Sequence, residues 1–518
     1  MMQRAVVGFL LVMFPAGALA GGFEFPTNGT QALGRGGAFT ARADDLVAVE
    51  YNPGGLLHIP GTVFYLGNNM TLYNMEFTRV DPAGNTFDPV SNQAGLFPFA
   101  PFVGASTDAG TEHWRFALAA YGPSAYGHTS FAEDAIDSCM AMPGDTADQR
   151  KAQSACFEKN APTRYMLTGT DILMAYYSLA VAYGEKNTWG VGVTLSWVDL
   201  ISGRFSLFVN AFNPDIGGGA FVEERMDVQA DLYFHDRVGV VGTIGGWYKP
   251  VESVELALSA RLPPLNIDAT GHTNLRFADN AGLGAQTFYQ SGIDTNGLDG
   301  LVAYDEDGKP VGADIPTALQ FTYPMTARAG VRYSHKVGEG DERRELFDVE
   351  FDTVWEGWSA LDEFAVQLKG YMQNTVSGKP ASGADKLPFN PINIPKNYQD
   401  TWSFRLGGQY APARWVAVRT GAYYETAAIP DKYTNLDFAS FDRIGVGMGA
   451  SGTFNGVTLS LAYSHAFQPE RQVSVDTTEV YKQYPLLATQ PTGPDARVGA
   501  GTFASSYDVF SFALSYAL

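Results

Sequence analysis

The residues of this 518-residue chain whose types could do chemistry are seven histidines, two cysteines, a glycine-rich run and a few arginines. His58, His113, His128, His235, His272, His335 and His465 are scattered, without His-x-x-x-His spacing or a paired Cys motif, so no metal site is expected. Gly34-x-Gly36-Gly37 follows no strand and precedes no Lys-Ser/Thr, which excludes a phosphate-binding loop. Ser464 and His465 are neighbours in a strand-like run, so they point to opposite faces and cannot form a nucleophile–base pair. No Gly-x-Ser-x-Gly elbow occurs. The sequence therefore predicts no enzyme and no cofactor. Arg261, Arg405 and Arg419 stand on the small-residue faces of strand-like runs. Facing lipid at mid-depth would cost each roughly 2–4 kcal/mol, so a lumenal direction is expected. There they could pair with acids such as Asp348, Glu350 and Asp352, or bind a ligand carboxylate in bidentate fashion.

The elements that position these residues are strands. Residues 1–20 read as a secretory signal: Arg4 begins it, Ala5 to Pro15 form the apolar stretch, and Ala18-Leu19-Ala20 offers the cleavage site. Beyond residue 20 no run of 18 apolar residues occurs, so no helix can span a membrane. Yet 45% of residues are hydrophobic and 13% aromatic, 57 are Gly, and only 17% are charged. An exported chain of that composition fits an outer-membrane barrel. The net charge of −21 excludes a nucleic-acid partner. Cys139 and Cys156, an even pair in an oxidising compartment, are expected to form a disulfide in an extracellular loop.

Period-two alternation recurs along the chain. Phe510, Phe512, Leu514, Tyr516 and Leu518 share one face of the last segment, and Val191, Val193, Leu195 and Trp197 alternate with Gly190, Gly192, Thr194 and Ser196. Short turns at 185–187, 249–252, 411–414 and 454–456 alternate with long segments at 122–163, 200–224, 263–315, 370–400, 425–441 and 468–504. That asymmetry belongs to outer-membrane barrels, whose periplasmic turns are short. Counting 346–355 and 361–369 separately gives about fifteen strands, whereas bacterial single-chain barrels favour even numbers. Merging them into one bent strand predicts an all-β fold, a 14-stranded antiparallel transmembrane β-barrel over 61–518, with both ends periplasmic.

Residues 21–60 do not alternate. They contain Gly-Phe at 22–23, Leu33-Gly34-Arg35 and Asn52-Pro53-Gly54. With Tyr121-Gly122, Trp355-x-x-Trp358, Phe404-Arg405, Arg419-Thr420-Gly421 and Ile429-Pro430-Asp431 in the same order, the chain resembles the FadL/TodX family of outer-membrane transport proteins. It departs at Gly54, where the family has Ala, and at Leu518, where the family has an aromatic residue. The resemblance implies an N-terminal hatch over 21–60 that plugs the lumen, held in part by Asn52 and Pro53. It implies passive uptake of hydrophobic compounds, foremost long-chain fatty acids or else aromatic hydrocarbons, by a monomer set in outer-membrane lipid and lipopolysaccharide. Phe23, beside Phe25, would occupy an internal pocket until ligand displaces it. Tyr121-Gly122-Pro123 would bend the third strand and open a lateral exit, since Pro cannot donate a ladder hydrogen bond. The alternatives are a non-transporting surface barrel (an adhesin or structural protein) and a general porin, which would show a charged eyelet and no plug.

Overall fold

A computed structural model provides the structure of the chain. It describes residues 27–518 apart from 123–127, 132–137, 211–226, 278–299, 312–313, 483–485, 487–496 and scattered positions in 140–161 and 377–384. The signal-peptide residues, Phe23, Phe25 and Pro123 lie outside the described residues.

The architecture is a closed, antiparallel, 14-stranded β-barrel. In chain order the strands are β1 Val63–Arg79, β2 Leu96–Thr107, β3 Trp114–Tyr121, β4 Leu167–Glu185, β5 Trp189–Asn210 and β6 Asp227–Val251. β7 runs as Val254–Leu262 and Leu265–Phe277, β8 as Asp314–Tyr323 and Thr326–Val337, and β9 as Arg344–Glu356 and Glu363–Leu368. β10 Thr401–Ala413, β11 Val416–Glu425, β12 Arg443–Phe454, β13 Val457–Val473 and β14 Gly501–Ala517 complete the wall. Each pairs with its neighbours in sequence, and β1 closes the ring by pairing with β14 from Val63↔Ala517 to Arg79↔Gly501.

The two halves of β9 behave as one bent strand: the first pairs with β8 and β10, and the second continues against the upper half of β8. Two expectations about loops need correction. The segment 200–224 is not all loop, because β5 continues to Asn210. Within 263–315 the strand resumes at Leu265 after Pro263-Pro264, because the prolines remove ladder donors only locally. β8 breaks in the same way at Pro324-Met325, beside the Gly357–Asp362 bend of β9. Three adjacent strands thus change course at one level of the wall.

Alternation decides the faces. Val191, Val193, Leu195 and Trp197 of β5 are about half exposed outwards, while Gly190, Gly192, Thr194 and Ser196 turn inwards. Around the short-turn end an outward aromatic girdle includes Trp114, Trp189, Tyr248, Trp415, Phe454 and Tyr516, as expected where a barrel meets a membrane interface. The turn at Asn455-Gly456 has positive φ at both residues (49° and 80°), the geometry that suits the right-handed twist of a two-residue hairpin.

Candidate functional site: the lumen and the segment inside it

Residues 27–60 contribute two short helices, Thr30–Gly34 and Ala48–Tyr51, and a 3₁₀ turn, Pro53–His58. They touch the wall on all sides. The Thr30 and Ser511 hydroxyls are 2.7 Å apart on the β14 side. Asn28 Nδ2 donates to the Gly122 carbonyl (3.2 Å), Arg115 Nε of β3 to Ile59 O (2.9 Å), and Trp247 Nε1 of β6 to Gly54 O (2.9 Å). The segment therefore lies within the lumen. Close approach requires glycine in the wall: a Cβ on Gly407 or Gly421 would overlap the Arg35 carbonyl, and one on Gly447 that of Leu33.

Charge fixes one side of this segment. Arg35, fully buried, donates to Asp348 (2.6 Å) and Glu350 (3.1 Å) on β9 and to Ala38 O (2.9 Å). Glu350 accepts from the Ala41 amide (2.7 Å), and Asp352 from the Phe39 and Thr40 amides (both 2.9 Å). Arg42 meets Glu345 (2.7 Å) and Asp348 (2.5 Å), while Arg332 pairs with Glu255 and Glu345. The acids on β9 thus bind the N-terminal segment and Arg332. Of the three arginines weighed against them in the sequence, none pairs with these acids among the described residues: Arg405 and Arg261 bond elsewhere, and Arg419 makes no hydrogen bond or ion pair. Arg405 donates to Ser403 Oγ (2.9 Å) and lies 3.6 Å from Glu425. Arg261 donates to Pro324 O (3.3 Å) and lies over the Tyr323 ring. Arg419 faces a polar vestibule of about 370 Å³ at the short-turn end, with Gln31, Arg42 and Asp44 among its lining. Beside it Asp45 is buried next to Asp44, and burial followed by that like charge pushes its carboxyl up to about 7.

Asn52 acts as a clasp. Its Nδ2 donates to Thr40 O (2.9 Å) and Gly246 O (3.2 Å), its Oδ1 accepts from the Gly54 amide, and Pro53 packs on Gly192. Tyr121 is buried and stacks between Phe102 and Tyr176 (4.8 and 5.4 Å). Gly122 follows the last residue of β3, and Asn28 reaches it. Cys139 and Cys156 are bonded, with Cα atoms 5.6 Å apart.

Above the segment the lumen is apolar. Ile172, Met174, Leu200, Phe205, Phe234, Leu319, Phe321 and Phe364 line a pocket closed down to about 10 Å³, room for one water. Phe205, Phe364 and Phe438 form an aromatic cluster with centroids 5.2–5.9 Å apart. Lys396 is buried against it, its ammonium 5.2 Å from the Phe364 centroid and paired with the buried Asp437. Sequence reading missed Lys396, Asp437 and Arg35 as site residues. The signal for Lys396 was a lone cation in the alternating run Ile392, Ile394, Lys396, Tyr398; Arg35 stood inside a recognised motif.

Among the described residues no group of His, Cys, Asp and Glu could hold a metal. The model of the outer membrane protein transport protein family (OMPP1/FadL/TodX) matches residues 11–507. No curated protein matches the chain. Three solved structures share the fold at low identity. A Pseudomonas aeruginosa FadL homologue is 16% identical, covering 96% of this chain and 100% of its own, with a TM-score of 0.67. The P. putida toluene transporter TodX is 13% identical, covering 95% and 99%, with a TM-score of 0.58. The Ralstonia pickettii toluene transporter TbuX is also 13% identical, covering 95% and 100%, with a TM-score of 0.56. With the match running over nearly its whole length and a closed barrel around its N-terminal segment, the chain belongs to the OMPP1/FadL/TodX family of outer-membrane transport proteins, which are channels and not enzymes.

Proposed function

We propose that this protein is a passive outer-membrane channel for hydrophobic compounds, foremost long-chain fatty acids, and that residues 21–60 act as its plug. The observation that carries this reading is the apolar pocket of β4, β5, β6, β8 and β9 above the lumenal segment. An apolar cargo gains roughly 0.8 kcal/mol per CH₂ removed from water there. A general porin needs an open, polar lumen; here the segment fills the lumen at the short-turn end.

The pocket's small free volume means that binding must move side chains apart. In this reading ligand enters from the long-loop side, spreads the Phe205–Phe364–Phe438 cluster and places a carboxylate head against Lys396, in exchange for Asp437. Phe23 and Phe25, ahead of the described segment, compete for apolar space until ligand displaces them, which couples binding to opening. Exit is lateral, at the end of β3. Asn28 holds the Gly122 carbonyl there, so displacing the plug frees the bend at Tyr121-Gly122-Pro123. Toluene, the cargo printed for TodX and TbuX, would use the same pocket without the ammonium.

Uptake of labelled oleate and labelled toluene by cells expressing the protein tests the reading, with mass spectrometry of ligands that co-purify. Oleate uptake above that of barrel-free cells is expected. Entry of small hydrophilic solutes at the same rate as oleate would establish a porin instead.

A further inference from the structure

At the short-turn end of the lumen the arginines outnumber the acids that could answer them. Arg42, Arg344, Arg414 and Arg419 line the vestibule of about 370 Å³, against Asp44 and Glu345. Both acids are already taken. Arg42 meets Asp44 (2.8 Å) and Glu345 (2.7 Å), and Arg332 engages the other oxygen of Glu345. Two arginines are left without an acid among the described residues. Arg419, on β11, is 8% exposed, makes no hydrogen bond or ion pair there, and has its Nε buried without a partner. Arg344, which opens β9, donates to the Ala411 carbonyl and to Pro412 O (2.9 Å) at the end of β10. Around them the wall presents neutral polar groups: Gln409, opposite Arg419 in the ladder, and the hydroxyls of Ser451 and Thr453. Arg328, whose Nε and Nη1 are also buried without a partner, is packed over the Tyr51 ring (5.2 Å) and lies outside this lining.

A buried guanidinium without an acceptor is costly, and more so among other arginines, unless an anion meets it. Place and geometry say which anion. The vestibule is bordered by the short-turn residues Ala411, Ala413, Arg414 and Trp415, and none of its lining belongs to the apolar pocket. Short turns are periplasmic in such barrels, so the anion is a water-soluble species of the periplasm. Arg344 and Arg419 stand on different strands, so their forks enter the space from two sides. A planar carboxylate matches one fork, whereas a tetrahedral oxyanion offers oxygens to both and keeps others for hydroxyl donors. A phosphate monoester carries about −1.5 to −2 near pH 7, which matches two unanswered cations. We propose that the vestibule is a periplasmic phosphate-binding site, with Arg419 as its buried anchor and Arg344 as the second fork. Its volume is several times the roughly 30 Å³ share of one water, so it admits the remainder of a small organic phosphate beside the anion.

The site is independent of the proposed cargo, since it uses neither the apolar pocket nor Lys396. Purified protein in neutral detergent is titrated calorimetrically at pH 7.5 with inorganic phosphate and with glycerol 3-phosphate, and with acetate and chloride at matched ionic strength. The unaltered chain is compared with Arg419→Gln, Arg344→Gln and Arg419→Lys, and heat-modifiable migration on gels confirms that each barrel is closed. Saturable phosphate binding is expected, weakened about tenfold in each Gln variant, equivalent to about 1.4 kcal/mol. Arg419→Lys should lose less, because it keeps the charge without the fork. Tighter binding of glycerol 3-phosphate assigns the site to organic phosphates and tighter binding of inorganic phosphate to the free ion; either supports it. Absence of saturable binding to the unaltered chain, equal binding of acetate or chloride, or unchanged phosphate affinity in Arg419→Gln overturns it. If Arg419→Gln does not close, Arg344→Gln decides alone: a tenfold loss of phosphate affinity supports the site, and unchanged affinity overturns it.

Discussion

Replacing Arg35 with methionine should unseat the lumenal segment proposed as the plug while leaving the barrel wall closed. The guanidinium is fully buried and holds Asp348 at 2.6 Å and Glu350 at 3.1 Å. Methionine keeps much of the volume and removes the charge, so buried Glu350 loses the cation it is paired with and buried Asp348 loses one of three. Removing one partner of a buried pair costs about 3–5 kcal/mol. At about 1.4 kcal/mol per factor of ten, the docked-to-undocked ratio of the plug falls by roughly a hundredfold to a few thousandfold. The wall should not suffer equally, because its ladder is continuous through β9 and β10 without Arg35. Arg42 and Arg332 still face Asp348, and the Phe39, Thr40 and Ala41 amides still bond Asp352 and Glu350, which favours the lower half of the range. Single-channel recording in planar bilayers reads the effect directly: the unaltered protein should be nearly silent and Arg35→Met should show frequent openings. Limited proteolysis should then cut within 27–60 at matched barrel content. A silent Arg35→Met channel with a protected segment would refute the claim that this ion cluster seats the plug.

Other outcomes follow from the same geometry. Gly407→Val places a side chain where the Arg35 carbonyl lies, so openings should rise as for Arg35→Met, with the closed barrel still migrating as such on gels. Asp45, raised to about 7 against an ordinary value near 4, binds its proton more tightly in the folded state, so its contribution is full below pH 4 and lost as pH rises through 7; channel openings should increase from pH 6 to 8, and Asp45→Asn should remove that slope. Lys396→Met leaves Asp437 buried without its cation, so thermal stability should drop by about 3 kcal/mol or more, whereas Lys396→Met with Asp437→Leu should recover most of it and lose preference for oleate over oleyl alcohol. Cys139→Ser with Cys156→Ser opens a loop closed over 17 residues, worth about 3 kcal/mol in the chain-entropy account; extracellular protease should cut this loop faster, with barrel migration unchanged.

The wall of this protein was legible in its sequence because a strand's face pattern is local. Alternation at two residues puts Val191, Val193, Leu195 and Trp197 outwards whatever they pair with, and the two-residue Asn455-Gly456 turn needs no information from afar. Parity supplied the even count and the continuity of β9 across Gly357. Prolines misled where they interrupt a strand that then resumes, at Pro263-Pro264, because a missing donor looks the same locally whether the strand ends or only bends. The lumen was not legible to the same degree. Arg35 meets Asp348 across 313 residues and Asn52 meets Gly246 across 194, and no periodicity carries such pairings. Whether Arg328 has a carboxylate beside it while Arg332 has three depends on which strands close the ring and where Thr40 and Glu50 are placed inside it. The sequence by itself determined which residues face lipid. Only the tertiary structure decided which charges inside are satisfied, since that depends on contacts between segments far apart in the chain.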